Sequence, residues 1–477
     1  MLVPLGTALL FAEFNSALDF VTGACLSLAV GYALLLSCEG PDGAPGPLEW
    51  VHGMVTAAFS WLLCMCLAAV PYFASGHYDS FLDAMFDVMS GFTTTGLVLI
   101  KDLDHVPVSL NMWRHLLTYI GGQGMIVLAL SFLIRAQPGA VSVYVGEGKD
   151  EKLLPNVVHT ARAIWVISLV YLAVGTGVLW IVGMGIGLTP LRALLHGLWV
   201  FMAAWSTGGF APQSQNILYY HSLPYELATI VFFVAGSLNF ALHYAVWTGN
   251  RREIYRNIET ITFATTSTAL SLLAVWGLAR SGTYAGVTEL FRKGYYLLVS
   301  GHTTTGFMSV YARQIEYEWG PIPILAITIA MLLGGSACST AGGFKAIRVG
   351  VITKAILQDI KRMALPGSAV LTDKFHHVRD VIMEDKQIRV AMTIVILYII
   401  TFAIVTAAGA AAGYSLTDSA FEAASATGNV GLSIGVTDPS MPAFLKIVYI
   451  VAMWAGRLEF ASVLGLVSFI AAVIRGR

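Results

Sequence analysis

Long hydrophobic stretches separated by short polar segments follow one another along almost the whole chain. Many of them approach or exceed the roughly 20 apolar residues that a helix needs to cross a bilayer. After residue 50 the stretches come in pairs, and a shorter amphipathic segment of about a dozen residues lies between the members of each pair, half the length a span requires. This pattern of long, short and long segments recurs four times and predicts an internally repeated membrane protein.

The predicted spanning helices have similar lengths and alternate with the short ones. We place them at 18–37, 51–74, 110–136, 158–185, 223–248, 258–279, 321–363, 388–412 and 442–474. The short helices are predicted at 79–90, 191–204, 287–300 and 417–427. Residues 1–11 are too short to span and predict a partial helix. The resulting organisation is an N-terminal preface (1–49) followed by four units (50–152, 153–250, 251–380 and 381–477).

A glycine-containing loop follows each short helix. The four loops read SGFTTTGL (90–97), AAWSTGGF (203–210), SGHTTTGF (300–307) and SATGNVGL (425–432), and each has glycine at its seventh position. Any one of them would fit a tight turn between packed helices. Four copies in register favour re-entrant pore loops, because irregular backbone at membrane depth is tolerated only inside protein or beside a wet cavity.

The loops have the composition of a cation filter. Glycine allows the backbone conformations that turn successive carbonyls towards one axis, and carbonyl rings can replace an ion's hydration shell. Half-helices that end at the loops would aim their negative ends at the ion. The predicted filter residues are Thr93, Thr94, Thr95, Gly96, Ser206, Thr207, Gly208, Gly209, Thr303, Thr304, Thr305, Gly306, Gly428, Asn429, Val430 and Gly431.

The second long segment of the third unit is interrupted by a run of small residues. Since each glycine costs a helix up to about 1 kcal/mol relative to alanine, the run does not suit a helix interior. A gate below the filter is favoured over a simple kink with snorkelling basic residues. The predicted gate residues are Gly334, Gly335, Ser336, Ala337, Cys338, Ser339, Thr340, Ala341, Gly342, Gly343 and Lys345, together with Arg457.

Arg457 lies within the last apolar segment, where a charge is expensive and usually faces protein or water. We expect it to reach loop carbonyls of another unit, and a role in gating or pore electrostatics is favoured over a purely structural tie. Lys446 is predicted to be peripheral, and His302 to pack behind the filter. Asp83, Asp87 and Glu422 are expected to raise the cation concentration at the outer mouth.

Composition agrees with a membrane protein. Hydrophobic residues make up 57% of the chain and charged residues 12%, against about 25% charged in a soluble domain. The five cysteines lack metal-site spacing, and the net charge of −1 gives no indication of nucleic-acid binding. Basic residues concentrate after the second span of each unit, which places the glycine loops on the outer side. They include Arg135, Lys149, Lys152, Arg162, Arg251, Arg252, Arg256, the stretch 345–389, Arg475 and Arg477.

The loops, the run GGSACSTAGGFK (334–345), the motif GGQGMIVLALSFL (121–133) and the motif WAGRLEF (454–460) together resemble the Trk/Ktr-type potassium uptake proteins. The similarity covers about residues 50 to 477, and the preface is more like that of the Trk branch. The resemblance implies an all-α polytopic membrane protein with four M1–P–M2 units around a central pore, preceded by extra N-terminal helices. It also implies a homodimer in the bacterial plasma membrane, and cytoplasmic nucleotide-binding regulatory subunits on the basic inner surface.

The transported ion implied is K⁺, with no organic cofactor in this chain. Some relatives have serine at the first filter glycine and admit sodium, so Gly96 favours potassium selectivity. The alternative is a broken-helix symporter that moves a small solute with Na⁺ or H⁺, although such proteins usually have inverted repeats and ionisable groups at the midplane. An intramembrane enzyme is not expected, because no nucleophile–base or metal set is apparent within the spans.

Overall fold

A computed structural model describes residues 1–38, 50–124, 127, 157–366 and 374–475. This part of the chain is mainly helical, and the strands described form one antiparallel hairpin, Lys374–His377 with Arg379–Ile382. Several helices are long and apolar enough to cross a membrane. They are Phe14–Ser37, Val51–Ala74, Val158–Gly185, Ile258–Ser281 and Asp385–Ala411. The prediction of an all-α, multi-pass membrane protein is confirmed.

The helices of the N-terminal half are α1 (Leu2–Leu10), α2 (Phe14–Cys38), α3 (Trp50–Ala74), α4 (Phe81–Phe92), α5 (Val108–Gln123), α6 (Val157–Gly185), α7 (Pro190–Trp205), α8 (Leu223–Gly236) and α9 (Phe240–Trp247). Those of the C-terminal half are α10 (Glu253–Arg256), α11 (Ile258–Ser281), α12 (Val287–Glu289), α13 (Tyr296–His302), α14 (Ala312–Glu318), α15 (Pro321–Leu333), α16 (Ala346–Met363), α17 (Asp385–Ala411), α18 (Leu416–Gly428), α19 (Ala443–Arg457) and α20 (Ala461–Ile474). Short 3₁₀ turns lie at Leu103–His105 and Asn216–Tyr220, and a π-helical turn at Leu290–Tyr295 joins α12 to α13.

The short helices begin at residues that suit a helix N-terminus. Ser80 accepts a hydrogen bond from the Asp83 N–H at 3.2 Å, and Ser415 accepts one from the Asp418 N–H at 3.1 Å. Proline occupies the first position of α7, where its missing N–H removes no intrahelical bond. Each short helix then ends directly at a glycine loop.

Two of the predicted continuous spans are broken, which corrects the prediction for 223–248 and 442–474. Helices α8 and α9 meet at 99°, and α19 and α20 meet at 113°. In the second case Glu459 and Phe460 both adopt positive φ angles, so the helix cannot continue through them. The predicted 110–136 span is described as a helix only to Gln123. Arg135, Lys149 and Lys152 lie outside the described residues, as do the segment 39–49 and Arg477.

The N-terminal preface is attached to the first unit by a carboxylate. Glu13, between α1 and α2, accepts hydrogen bonds from the Val108 N–H at 2.7 Å and the Ser109 N–H at 3.0 Å. These are unpaired donors at the start of α5, where a negative charge also complements the helix dipole. The preface therefore caps the second long helix of the first unit.

Glycines let the long helices approach the filter loops closely. A Cβ atom at Gly121 would overlap the carbonyl oxygen of Phe92, and one at Gly122 would lie 2.6 Å from the Ser206 Cβ. Gly121 and Gly122 thus permit close packing, whereas Gly124 ends α5 with a φ of 104°.

Candidate ion-conduction site

The four glycine loops share one hydrogen-bonding pattern. In the first loop the Thr95 N–H donates to the Ser90 carbonyl oxygen at 2.8 Å, and the Thr94 N–H donates to Gly91 at 3.0 Å. The same two positions are bonded in the other loops. The equivalent pairs are Gly208 to Ala203 and Thr207 to Ala204, Thr305 to Ser300 and Thr304 to Gly301, and Val430 to Ser425 and Asn429 to Ala426.

Each loop holds its fifth residue in the left-handed region. Thr94, Thr207, Thr304 and Asn429 have φ angles of 55°, 49°, 56° and 55°. For a β-branched residue this conformation is an outlier that costs about 1–3 kcal/mol and persists only where the surroundings enforce it. Three threonines under the same strain at equivalent positions point to a functional constraint on this backbone.

The seventh-position glycines bring the loops into contact in cyclic order. A Cβ at Gly96 of the first loop would lie 2.8 Å from the carbonyl oxygen of Gly208 in the second. At the other three junctions the added Cβ would overlap the neighbouring carbonyl oxygen. These pairs are Gly209 with Thr305, Gly306 with Val430, and Gly431 with Thr95. The contacts close a ring, so the loops surround one axis and only glycine fits at each junction.

Hydroxyl groups fix the loops to their own short helices. Thr93 Oγ1 donates to the Met89 carbonyl oxygen at 2.7 Å, Ser206 Oγ to Met202 at 2.7 Å, and Thr303 Oγ1 to Val299 at 2.9 Å. The fourth loop has Gly428 at this position and is instead tied across the ring, where Asn429 Nδ2 donates to Thr95 Oγ1 at 3.1 Å.

The interrupted segment Gly334–Lys345, here called the gate segment, lies directly against the ring. Its Gly342 N–H donates to Thr304 Oγ1 at 2.7 Å, and its Thr340 Oγ1 lies 3.1 Å from Thr207 Oγ1. Thr340 Oγ1 also contacts the carbonyl oxygens of Trp205 at 3.0 Å and Gly236 at 2.8 Å. The fifth-position residues of the second and third loops thus hold the segment against the ring of loops.

Arg457 contacts the other side of the same segment. Its Nη1 donates to the Thr340 carbonyl oxygen at 2.5 Å and to Thr94 Oγ1 at 3.3 Å. Its Nη2 donates to the carbonyl oxygens of Gly121 at 2.8 Å and Gly122 at 3.1 Å. The guanidinium therefore reaches other units, but the carbonyls that it contacts belong to the gate segment and α5, and its contact with a glycine loop is to the hydroxyl of Thr94.

A second group of charges lies where the gate segment joins α16. Lys345 Nζ donates to the Ala341 carbonyl oxygen within the segment, and it lies 4.0 Å from a carboxylate oxygen of Glu459. The other oxygen of Glu459 pairs with Arg348. Glu459 belongs to the break between α19 and α20, so the gate segment is anchored to the fourth unit by both Arg457 and Glu459.

The acids predicted at the outer mouth are buried and bonded, which corrects that prediction. Asp87 accepts from the Leu99 N–H at 2.6 Å and from Tyr78 Oη at 3.0 Å. Glu422 accepts from the Ile434 N–H at 3.0 Å, three residues after Gly431, just as Leu99 follows Gly96. Both carboxylates lie behind the loops and orient the chain that leaves the filter.

Lys446 is likewise not peripheral. It is 7% exposed, and its Nζ lies 2.5 Å from Asp83 and 2.8 Å from the Pro439 carbonyl oxygen. The pair joins α19 of the fourth unit to α4 of the first. A comparable pair, Arg292 with Glu226 at 2.7 Å, joins the third unit to the second.

His302 is buried in packing contacts at the end of α13. Its ring contacts Phe263 edge-on at a centroid distance of 4.8 Å, and its Nε2 lies 2.8 Å from Thr266 Oγ1. Among the described residues no group of three or more His, Cys, Asp or Glu side chains is placed to hold a metal ion.

Comparison with known proteins agrees with this arrangement. Residues 17–472 match the family model described as TrkH, cation transport protein. The chain belongs to the TrkH family. An uncharacterized cation transporter of Methanocaldococcus jannaschii is 30% identical over 97% of this chain and 90% of its own length. The Trk system potassium uptake protein TrkG of Escherichia coli is 27% identical over 98% of this chain and 94% of its own length.

The fold is also that of a solved member of the TrkH family. The crystal structure of the potassium transporter TrkH from Vibrio parahaemolyticus superposes with a TM-score of 0.80 at 25% identity, covering 97% of this chain and 94% of that one. Nearly the whole length is shared in each comparison, including the preface. Sequence reasoning did not identify Thr340 as a partner of Arg457, Arg348 as a partner of Glu459 or Asp83 as a partner of Lys446, because each of these pairs is more than a hundred residues apart.

Proposed function

We propose that this chain is the transmembrane subunit of a Trk-type system that takes up potassium through a selective, gated pore. The observation that carries the proposal is the closed ring of contacts between the four glycine loops. Membership of the TrkH family supports ion transport and does not favour the symporter alternative. Membership of this family also agrees better with a transport function than with an enzymatic one.

The filter in this proposal is formed by the fourth to seventh residues of the four loops, with Gly96, Gly209, Gly306 and Gly431 at the junctions. A ring of backbone oxygens can replace the hydration shell of K⁺ without adding fixed charge. The short helices end at the loops, so their negative C-terminal ends favour a cation. The four units at 50–152, 153–250, 251–380 and 381–477 would each contribute one quarter of the filter.

The gate in this proposal is the segment Gly334–Lys345. In this proposal the segment lies across the ion path, which its bonds to Thr207 and Thr304 support, and Arg457 holds it there through the Thr340 carbonyl. Positive φ angles at Gly334, Cys338 and Gly343 give the segment a folded, non-helical course. Release of the Arg457 contacts would let it swing away from the loops.

The chain would lie in the bacterial inner membrane with its glycine loops outside, because the basic segments belong on the cytoplasmic side. A homodimer and cytoplasmic nucleotide-binding regulatory subunits complete the proposed system. The exposed basic residues Arg251, Arg252, Lys361 and Arg362 lie on the surface that such subunits would meet.

Rubidium flux into vesicles tests the proposal. The purified chain should carry rubidium down its own gradient with no sodium or proton gradient imposed, and excess potassium should compete more strongly than sodium. Strict dependence of the flux on a second ion gradient would instead support a symporter. The control is Arg389→Gln, a change at an exposed residue of α17 away from the ring.

A further inference from the structure

A cavity of about 550 Å³ opens between α11, α16 and the β-hairpin of the third unit. It lies at the opposite end of α11 from the outer loop Gly282–Gly286, beyond the gate segment on the side that the proposed orientation makes cytoplasmic. None of the residues assigned to the filter or the gate lines it. The cavity is therefore a separate feature from the ion path.

Its lining combines apolar residues with basic ones. Ile258, Ile261 and Thr262 line the part formed by the first turns of the apolar helix α11. Arg256, which precedes that helix, and Lys374, on the hairpin, line the cavity and are exposed. An apolar wall beside exposed cations is the combination that acyl chains and anionic headgroups meet at a membrane surface.

The charge of the cavity suits an anion. Arg256, Lys354 and Lys374 line it, and the one acid in the lining, Asp380, is already bonded to His376 at 2.7 Å. The other nitrogen of His376 bonds to Glu253 at 3.0 Å. The pKa of His376 is raised by its hydrogen bonds to Asp380 and then to Glu253.

The cavity lies against the helix that continues from the gate segment. A Cβ at Gly350 of α16 would lie 2.7 Å from Thr262 Oγ1 and 2.9 Å from Ile258 of α11. All three residues line the cavity, so the two helices touch at its wall. A molecule held there contacts both α11 and the helix whose first residue follows Lys345.

We propose that this cavity binds the phosphate headgroup of an anionic phospholipid of the inner leaflet. The three cations contact the phosphodiester, and the apolar wall of Ile258 and Ile261 contacts the start of an acyl chain. This lipid-binding proposal rests on the proposed function in one respect only, which is that the cavity faces the cytoplasmic side of the membrane. Free phosphate has the same headgroup chemistry but makes no acyl contact, so an experiment can distinguish binding of the lipid from binding of free phosphate.

Native mass spectrometry of the full-length chain in detergent tests this site with phosphatidylglycerol and phosphatidylcholine as probes. Phosphatidylglycerol should be retained preferentially. In the triple variant Arg256→Gln/Lys354→Gln/Lys374→Gln its affinity should fall about a hundredfold, since each cation near a membrane surface contributes about fivefold to binding. The matched control Arg251→Gln/Arg252→Gln/Lys361→Gln changes exposed basic residues outside the cavity and should bind as the wild type does.

Three results would overturn the proposal: equal retention of the two lipids, equal loss in the control variant, or displacement of the lipid by millimolar inorganic phosphate. The last would assign the site to a free anion. Because this experiment measures binding, it is independent of rubidium flux, and a chain that binds the lipid but carries no rubidium would refute the proposed function alone. Ile261→Gln, which changes only the apolar wall, should also weaken lipid binding while leaving any phosphate binding unchanged.

Discussion

Arg457 Nη1 donates a hydrogen bond to the carbonyl oxygen of Thr340 at 2.5 Å, across 117 residues of sequence. The bond joins the end of α19, beside the break in the last spanning segment, to the gate segment. The same guanidinium contacts Thr94, Gly121 and Gly122. One side chain therefore couples the gate segment to the first loop and to α5.

Replacing Arg457 should loosen the gate. In Arg457→Gln we expect basal rubidium flux to rise about tenfold, because a hydrogen bond to a charged group contributes about 1.5–3 kcal/mol. Flux into vesicles and thermal unfolding in detergent are measured together. Arg389→Gln is the control, and wild-type flux in a folded Arg457→Gln protein would make Arg457 a structural tie only.

Gly96→Ser should reduce selectivity for potassium over sodium about tenfold or more. The residue has a φ of 93°, and an added Cβ would lie 2.8 Å from the Gly208 carbonyl oxygen, so the ring must distort. Relative permeabilities are measured from competition between the two ions. Gly76→Ser is a matched control, since Gly76 has a φ of 75° but nothing within 4 Å of its added Cβ. A Gly96→Ser variant with unchanged selectivity would contradict the filter assignment.

The short helices, the loops and the gate segment could be predicted from sequence because their signals are local. A glycine at a fixed position in four loops and a run of small residues in an apolar segment need no knowledge of distant neighbours. The strained φ angles of Thr94, Thr207 and Thr304 have no such signal, because threonine normally avoids that region.

The features missed by sequence reasoning depend on contacts between units. The bend after α8 falls at Ser237–Asn239, where no glycine run or proline marks it, and it is held by Asn239, which contacts Glu259. Lys446 is buried only because Asp83 lies opposite, 363 residues away. Hydropathy alone therefore predicts an exposed lysine and an unbroken span.

Thr340→Val should also raise basal flux. The substitution keeps the shape of the side chain but removes the hydroxyl contacts to Trp205, Gly236 and Thr207, and each buried group left without a partner costs about 1–3 kcal/mol. Vesicle flux provides the measurement. Thr393→Val removes an exposed intrahelical hydroxyl bond on α17 and should have no effect. Equal flux in both variants would argue that the segment does not obstruct the path.

The Asp83–Lys446 pair should be needed for stability rather than for selectivity. Lys446→Met leaves Asp83 buried without its partner, so unfolding free energy should fall by about 3–5 kcal/mol. The double variant Asp83→Leu/Lys446→Met should recover much of that loss, because no buried charge remains. Thermal unfolding in detergent measures the stability of the single and the double variant. If the double variant is as unstable as Lys446→Met, the loss comes from packing and not from the unpaired carboxylate.

The attachment of the β-hairpin to Glu253 of α10 should depend on pH. The pKa of His376 is raised by its bonds to Asp380 and Glu253. Burial opposes ionisation of Glu253, but hydrogen bonds from His376, the Val378 N–H and Asn257 lower its pKa overall. The stabilisation from His376 is fully present below its unfolded pKa of about 6.5 and is lost as pH rises through the higher folded value. That from Glu253 is lost only in acid, as pH falls through its lowered pKa.

Amide hydrogen exchange of residues 374–382, corrected for its intrinsic pH dependence, measures this attachment. Protection should be greater at about pH 5.5 than at about pH 8.5 in the wild type, because the stabilisation from protonated His376 is lost as pH rises through its raised pKa. In His376→Gln, which retains hydrogen-bonding capacity without a titrating group, protection should no longer depend on pH in this range. His105→Gln is the control, since His105 pairs with Asp102 at an exposed site in another part of the chain. The same pH dependence in His376→Gln as in the wild type would assign the effect to a different group.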